Sequence, residues 1–217
     1  MALKPEIVKM LQNIHWLGHG GYRIEHPAGH IYIDPFKISS YKKAALVCIT
    51  HEHYDHFSEE DLAKITGPDT VICTAPTAPE KLTDNMKTMK PGDEFKLNSN
   101  VSVKAVSAYN LDKSFHPRLS NWLGFVIYID GIIIYHAGDT DFIPEMKELP
   151  AVDIALLPVS GTYVMTAAQA AEAALTIKPQ VAVPMHYATL VGTEADAEQF
   201  ASLLKNKIEV RILNKNE

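Results

Sequence analysis

Residues 50–58 read Thr-His-Glu-His-Tyr-Asp-His-Phe-Ser, which places three histidines and an aspartate within six positions. His51 and His53 are two apart, so on an extended segment leaving a strand their side chains point the same way. Asp55 and His56 follow after the chain has turned, which lets them face a second point close to the first. Imidazole and carboxylate together suit Zn²⁺ and its first-row neighbours. A solvated polar loop would need no such spacing, and packing gives no reason for it. The chemistry this set can support is metal-assisted hydrolysis.

The elements that must carry these residues follow from hydrophobic pattern. Short strands are expected at Ile14–Leu17, Tyr22–Glu25 and Ile31–Asp34, separated by Gly- or Pro-containing turns. Ala45–Thr50 (ALVCIT) is a continuous apolar run of strand length, and the histidine motif follows it directly. Ser58 opens a helix through about Ile65, with Asp61 placed to satisfy its first-turn amides. Thr70–Thr74 reads as another strand, and Asp93–Leu97 pairs with Val101–Val106. Phe125–Ile129 and Ile132–Tyr135 flank Asp130-Gly131, a strong hairpin signal.

Asp153–Val159 is a core strand, and Thr166 with Gln169 forms a capping box for a helix through about Ile177. Val181–Met185 (strand), Thr193–Asn206 (helix) and Glu209–Leu213 (strand) complete the chain. The second half repeats the plan of the first, with no Pro/Ser-rich linker between them. This predicts one α/β domain over residues 1–217 in four layers, αββα, which covers both faces of ALVCIT and DIALLPV.

Composition narrows the function classes. The 217 residues are 47% apolar and 21% charged, and no apolar run approaches a membrane span. The formal charge of −6, without a basic stretch, argues against a polynucleotide partner. Cys48 and Cys73 lie in strand-like runs and read as free, reduced thiols, and no secretory signal is visible. A cytoplasmic location follows as an expectation. Oligomeric state is not readable, which leaves a homo-oligomer open.

His-Glu-His-Tyr-Asp-His resembles the His-x-His-x-Asp-His signature of the metallo-β-lactamase superfamily, at the end of a buried strand where that family carries it. Tyr-His-Ala-Gly-Asp-Thr-Asp (135–141) resembles the segment with the bridging aspartate, which implies that role for Asp139. Pro-Met-His-Tyr (184–187) resembles the segment with the last histidine, which implies His186. Trp-Leu-Gly-His-Gly-Gly (16–21) and Ile-Asp-Pro-Phe (33–36) also match the branch of L-ascorbate-6-phosphate lactonase-like proteins and metal-dependent hydrolases.

One position departs from the family pattern. A third histidine of the first site is expected just past the strand Val103–Ala108, where this chain has Tyr109 and Asn110. Either His116 reaches the metal from Ser-Phe-His-Pro, the favoured reading, or Asn110 or a water completes the shell and His116 contacts substrate. The resemblance places His19 near the mouth of the site, as a substrate contact or a support to the ligands. The loop Gly161–Thr166 resembles one of the same branch and reads either as a plain strand-to-helix connection or as a pocket wall with Tyr163 toward substrate, and Tyr187 and Trp122 are further pocket candidates or core aromatics. His136 is expected to support the ligands from a strand end, and Asp34 to buttress the motif loop by accepting backbone amide bonds. Gly138 is expected to permit the turn that presents Asp139. His15, His26 and His30 are read as surface or strand residues.

The implied activity is hydrolysis of a small ester, lactone or phosphoester by water activated between two divalent ions, zinc first, with manganese or iron also permitted. Asp55 is the implied catalytic residue, ligating the second ion and orienting the attacking water. A phosphodiesterase acting on lipid-like or nucleotide diesters is the runner-up. A non-catalytic metal-sensing module is the alternative from another class, supported by the missing histidine after Ala108.

Overall fold

The structure, a computed structural model, describes residues 3–76 and 84–215. Two sheets make its centre. The first runs in the order β1 (Ile14–Gly18), β2 (Gly21–Ile24), β3 (His30–Ile33), β4 (Ala44–Ile49), β5 (Val71–Thr74) and β6 (Met86–Thr88). Its first three strands are antiparallel and the rest parallel. The second sheet opens with the antiparallel strands β7 (Glu94–Lys96), β8 (Val101–Ser107), β9 (Leu123–Ile129) and β10 (Ile132–His136). It continues in parallel through β11 (Ile154–Pro158), β12 (Val181–Met185) and β13 (Glu209–Val210).

The alternation along β4 shows why the layers stack as they do. Leu46 and Cys48 face the core between the sheets, whereas Val47 and Ile49 pack beneath Leu62 and Ile65 of α2 (Glu59–Ile65). A strand buried on both faces reads as an unbroken apolar run. On the outside of the second sheet, Ala170, Ala173 and Ala174 of α3 (Ala167–Ile177) join Phe200 and Leu204 of α4 (Glu194–Leu204) in the main core. The architecture is the expected αββα, and no helix among the described residues is long and apolar enough to cross a membrane.

The capping box of Thr166 and Gln169 is present as read, with both reciprocal bonds made. Asp61 differs from expectation. Its carboxylate accepts from the backbone nitrogens of Lys37 and Ile38 and from Ser58 Oγ, so it ties the 37–38 turn to α2 and leaves that helix's first-turn amides alone. The helix at Pro5–Asn13 and the short strand β6 were not expected, and the final strand is only Glu209–Val210. The motif loop after β4, the turn after β10 and the turn after β12 all leave C-terminal strand ends and converge on one edge of the two sheets.

Candidate metal centre

The motif loop is fixed from beneath by Asp34. This fully buried residue holds a left-handed backbone (φ 43°), and its carboxylate accepts from Thr50 N (2.8 Å), Thr50 Oγ1 (2.6 Å) and His56 Nδ1–H (2.7 Å). The Thr50 hydroxyl gives its only hydrogen to Asp34, so it accepts at 2.9 Å from His51 Nδ1–H. Both rings therefore hold a proton outward at Nδ1 and turn Nε2 to the centre, where it is the ligand atom once His56 gives up its second proton, the arrangement by which histidines are oriented as metal ligands. His53 presents its other nitrogen, Nδ1, 3.0 Å from His51 Nε2.

Two groups of candidate ligands result. The ligand atoms of His51, His53 and His116 lie within 4.8 Å of one another, and so do those of His19, Asp55, His56 and His186. Asp139 stands between the groups. Its Oδ2 is 3.3 Å from His116 Nε2 and 3.0 Å from His186 Nε2, and its Oδ1 is 3.4 Å from His56 Nε2. Gly138 makes that placement possible. Its φ is 66°, and a Cβ there would run into the Leu123 carbonyl. His186 adopts φ 59°, donates its backbone N–H to His19 O and is steadied at Nδ1 by Ser160 Oγ, 3.1 Å away.

Divalent cations fit these groups. Buried polar atoms are nearly always hydrogen-bonded, yet Nε2 of His56, His116 and His186 and Oδ1 of Asp139 are buried without a hydrogen-bond partner. Such a convergence of unused lone pairs, imidazole and carboxylate with no thiolate, matches zinc, manganese or iron. The metal-free electrostatics agree. Burial opposes ionisation of Asp139, but the charges of His186 and His56 hold it well below the usual carboxylate range. Burial opposes protonation of His56 too, yet Asp139 and Asp34 carry it well above 6.5. His51 is pushed well below 6.5, first by burial and then by His56.

Comparison with known proteins decides the family. The profile of the Beta-lactamase superfamily domain matches residues 13–186. The chain belongs to the metallo-β-lactamase superfamily. It is 33% identical to a UPF0173 metal-dependent hydrolase of Thermococcus onnurineus, over 94% of this chain and 97% of the relative. A crystal structure from Parabacteroides distasonis, named for a metal-dependent hydrolase, superposes with a TM-score of 0.84 at 34% identity, covering 94% of this chain and 93% of the other. The metallo hydrolase Igni18 of Ignicoccus hospitalis gives a TM-score of 0.74 at 25% identity, covering 94% and 95%.

Around this metallo-β-lactamase centre the other expected residues fall in several places. His19 Nε2 lies 2.9 Å from Asp55 Oδ2, so His19 sits within the second ligand group and also lines the cavity above it. Burial opposes ionisation of Asp55, but the His19 hydrogen bond and the His56 charge outweigh it and lower the carboxyl to about 2. Tyr163 lines the cavity. Asn110 is not among the residues that line it. Its Oδ1 accepts from His116 N and Nδ1 at 3.0 Å and its Nδ2 donates to Tyr163 O at 2.9 Å, so the side chain holds His116 through Oδ1 and the Tyr163 backbone through Nδ2.

Tyr187 also departs from expectation. The left-handed turn at His186 sends the two neighbouring side chains apart, and Tyr187 stacks on Trp16 (centroids 4.8 Å) in a separate cavity. Trp122 is no pocket wall either; its ring packs 4.8 Å from those of His51 and His53. His136 stitches two turns together, donating from Nε2 to Gly20 O (2.8 Å) and accepting at Nδ1 from Gly138 N–H (3.2 Å). Thr50 and Ser160 were missed. A hydroxyl beside a histidine-rich motif is the only trace Thr50 leaves in sequence, and Ser160 leaves none.

Proposed function

We propose that this chain is a binuclear metal-dependent hydrolase of small esters, lactones or phosphoesters, with His51, His53 and His116 holding one ion and Asp55, His56 and His186 the other beneath a bridging Asp139. The observation that carries the reading is the set of buried, unpartnered Nε2 atoms of His56, His116 and His186 around Asp139. The gathering of His116 with His51 and His53 speaks against the non-catalytic reading, which rested on a vacant third position after Ala108. Divalent ions held there supply Lewis acidity, which polarises the scissile group and acidifies water.

The chain's own residues do the rest. Asp34, Thr50, Asn110 and Ser160 fix the tautomer or angle of the ligand rings, so that each aims its ligand nitrogen at the centre. Asp55 is the catalytic residue. Ionised and half-buried at the cavity floor, it receives a proton from the attacking water and passes it to the leaving oxygen. His19 holds the Asp55 carboxylate in place through Oδ2. The test is hydrolysis of a simple ester, a lactone and a phosphodiester by protein stripped with a chelator and reloaded with zinc, manganese or iron. Turnover that vanishes on stripping and returns on reloading supports the assignment; no turnover with any ion overturns it.

A further inference from the structure

The cavity above the ligand groups has a volume of about 430 Å³, and its floor is His19, His53, Asp55, His116 and Asp139. Its walls are Tyr54, Phe115, Tyr163, Leu190 and Val191. Among the described residues neither lysine nor arginine lines it. The loop that supplies Phe115 does carry two cations, but both are engaged: Lys113 Nζ is paired with Asp141 and Asp112, and Arg118 with Glu145 at 2.8 Å.

The walls are exposed and yet held. Tyr54 is 69% and Phe115 49% exposed, which leaves large apolar rings facing solvent beside the reacting groups. Phe115 rests edge-on against Tyr163 (centroids 4.6 Å, 82°), and Tyr54 against Phe36 (5.9 Å, 77°). Apolar surface kept open next to convergent polar groups marks where a ligand is buried. A charged substituent seated against this wall would lose its water and meet no opposite charge there among the described residues, only the Tyr54 and Tyr163 hydroxyls.

Resting on the hydrolase reading, we propose that the substrate is an ester or lactone whose acyl part bears an uncharged alkyl or aryl substituent, and that Phe115, Tyr163, Tyr54 and Leu190 select it. Hydrolysis consumes one water. The acyl carbon gains the hydroxyl, its bond to the ester oxygen breaks, and that oxygen leaves with the water's remaining proton. A phosphorylated lactone is thereby disfavoured.

Two series on metal-loaded protein test this: kcat/KM for 4-nitrophenyl esters from acetyl to octanoyl together with alkyl and phosphorylated lactones of one ring size, and calorimetric binding of the matching alkanoates. Each added methylene is expected to raise kcat/KM and tighten alkanoate binding about three- to fourfold until the cavity is filled. Phe115→Ala and Leu190→Ser should flatten both slopes. Turnover with a flat length dependence, or a phosphorylated lactone preferred about tenfold, overturns the substrate class and leaves the hydrolase reading standing. Alkanoate binding that climbs with length while nothing is hydrolysed supports the apolar site and overturns the hydrolase reading. Flat binding without turnover overturns both.

Discussion

Asn110 Oδ1 lies 3.0 Å from both the backbone nitrogen and Nδ1 of His116. The residue that stands where a family histidine is expected thus holds His116, the histidine proposed to take that place. Asn110 N–H also donates to His116 O at 2.7 Å, so the loop between them is closed from both ends.

Removing that support should loosen the first ion without removing a ligand. Asn110→Ala is expected to weaken metal binding by the His51, His53 and His116 group about 10–100-fold. Asn110→Asp, which keeps the acceptor, should retain most of the affinity. Competition against a chromogenic chelator measures this, and an Asn110→Ala variant with unchanged affinity would contradict the role given to Asn110.

Asp34 is expected to matter for folding even without metal. Its carboxylate is the shared acceptor for the Thr50 amide, the Thr50 hydroxyl and the His56 ring, all buried. Asp34→Ala leaves those donors unpaired beside a His56 that favours its charged form, a loss on the order of 3–5 kcal/mol. Urea unfolding in the presence of chelator tests it. A loss below about 1 kcal/mol would show that the loop is held by something else.

The two ligand groups should load differently with pH. His51 and His53 have lowered pKa values, by burial first and by neighbouring histidines next, so at neutral pH they offer lone pairs without shedding protons. His56 is raised above 6.5, so an ion entering the second group must displace its proton, and the affinity there climbs with pH up to the raised value. Acidifying through the raised His56 value should release the second group's ion first, with affinity falling as the proton competes for Nε2. Calorimetry in buffers of different ionisation enthalpy reads the displaced proton. Simultaneous, pH-independent loading would contradict the distinction.

Much of this was legible in sequence because the signals are local. The apolar run at Ala45–Thr50 dictates a strand buried on both faces, and His51, His53, Asp55 and His56 follow from its end. The contributions that were not legible are long-range or depend on backbone angles. Nothing in the residue order shows that Asn110 turns inward onto His116, or that the left-handed backbone at His186 directs Tyr187 to Trp16 and out of the cavity over the ligand groups. The Pro5–Asn13 helix has a proline at its start but no side-chain cap, so its start signal is weak. Strand β6 is three residues paired along one edge, too short for a period to register.

In the proposed mechanism Asp55 differs from the remaining ligands by its role in turnover. Asp55→Asn keeps the shape and the His19 contact but removes the charge and the proton acceptor. Turnover should fall about 10²–10⁴-fold while the His51, His53 and His116 group keeps its ion. Steady-state kinetics with metal analysis on the same sample checks both halves. Unchanged turnover would remove Asp55 from the catalytic role.

The central claim is two ions shared across Asp139, and metal content per chain tests it most directly. Protein purified without chelator and analysed by inductively coupled plasma mass spectrometry should carry about two first-row ions per chain, as two-metal hydrolytic sites do. His116→Ala and His186→Ala should each reduce that to about one. Wild-type protein that stays essentially metal-free after dialysis against zinc, manganese or iron, or variants with undiminished content, would contradict the account.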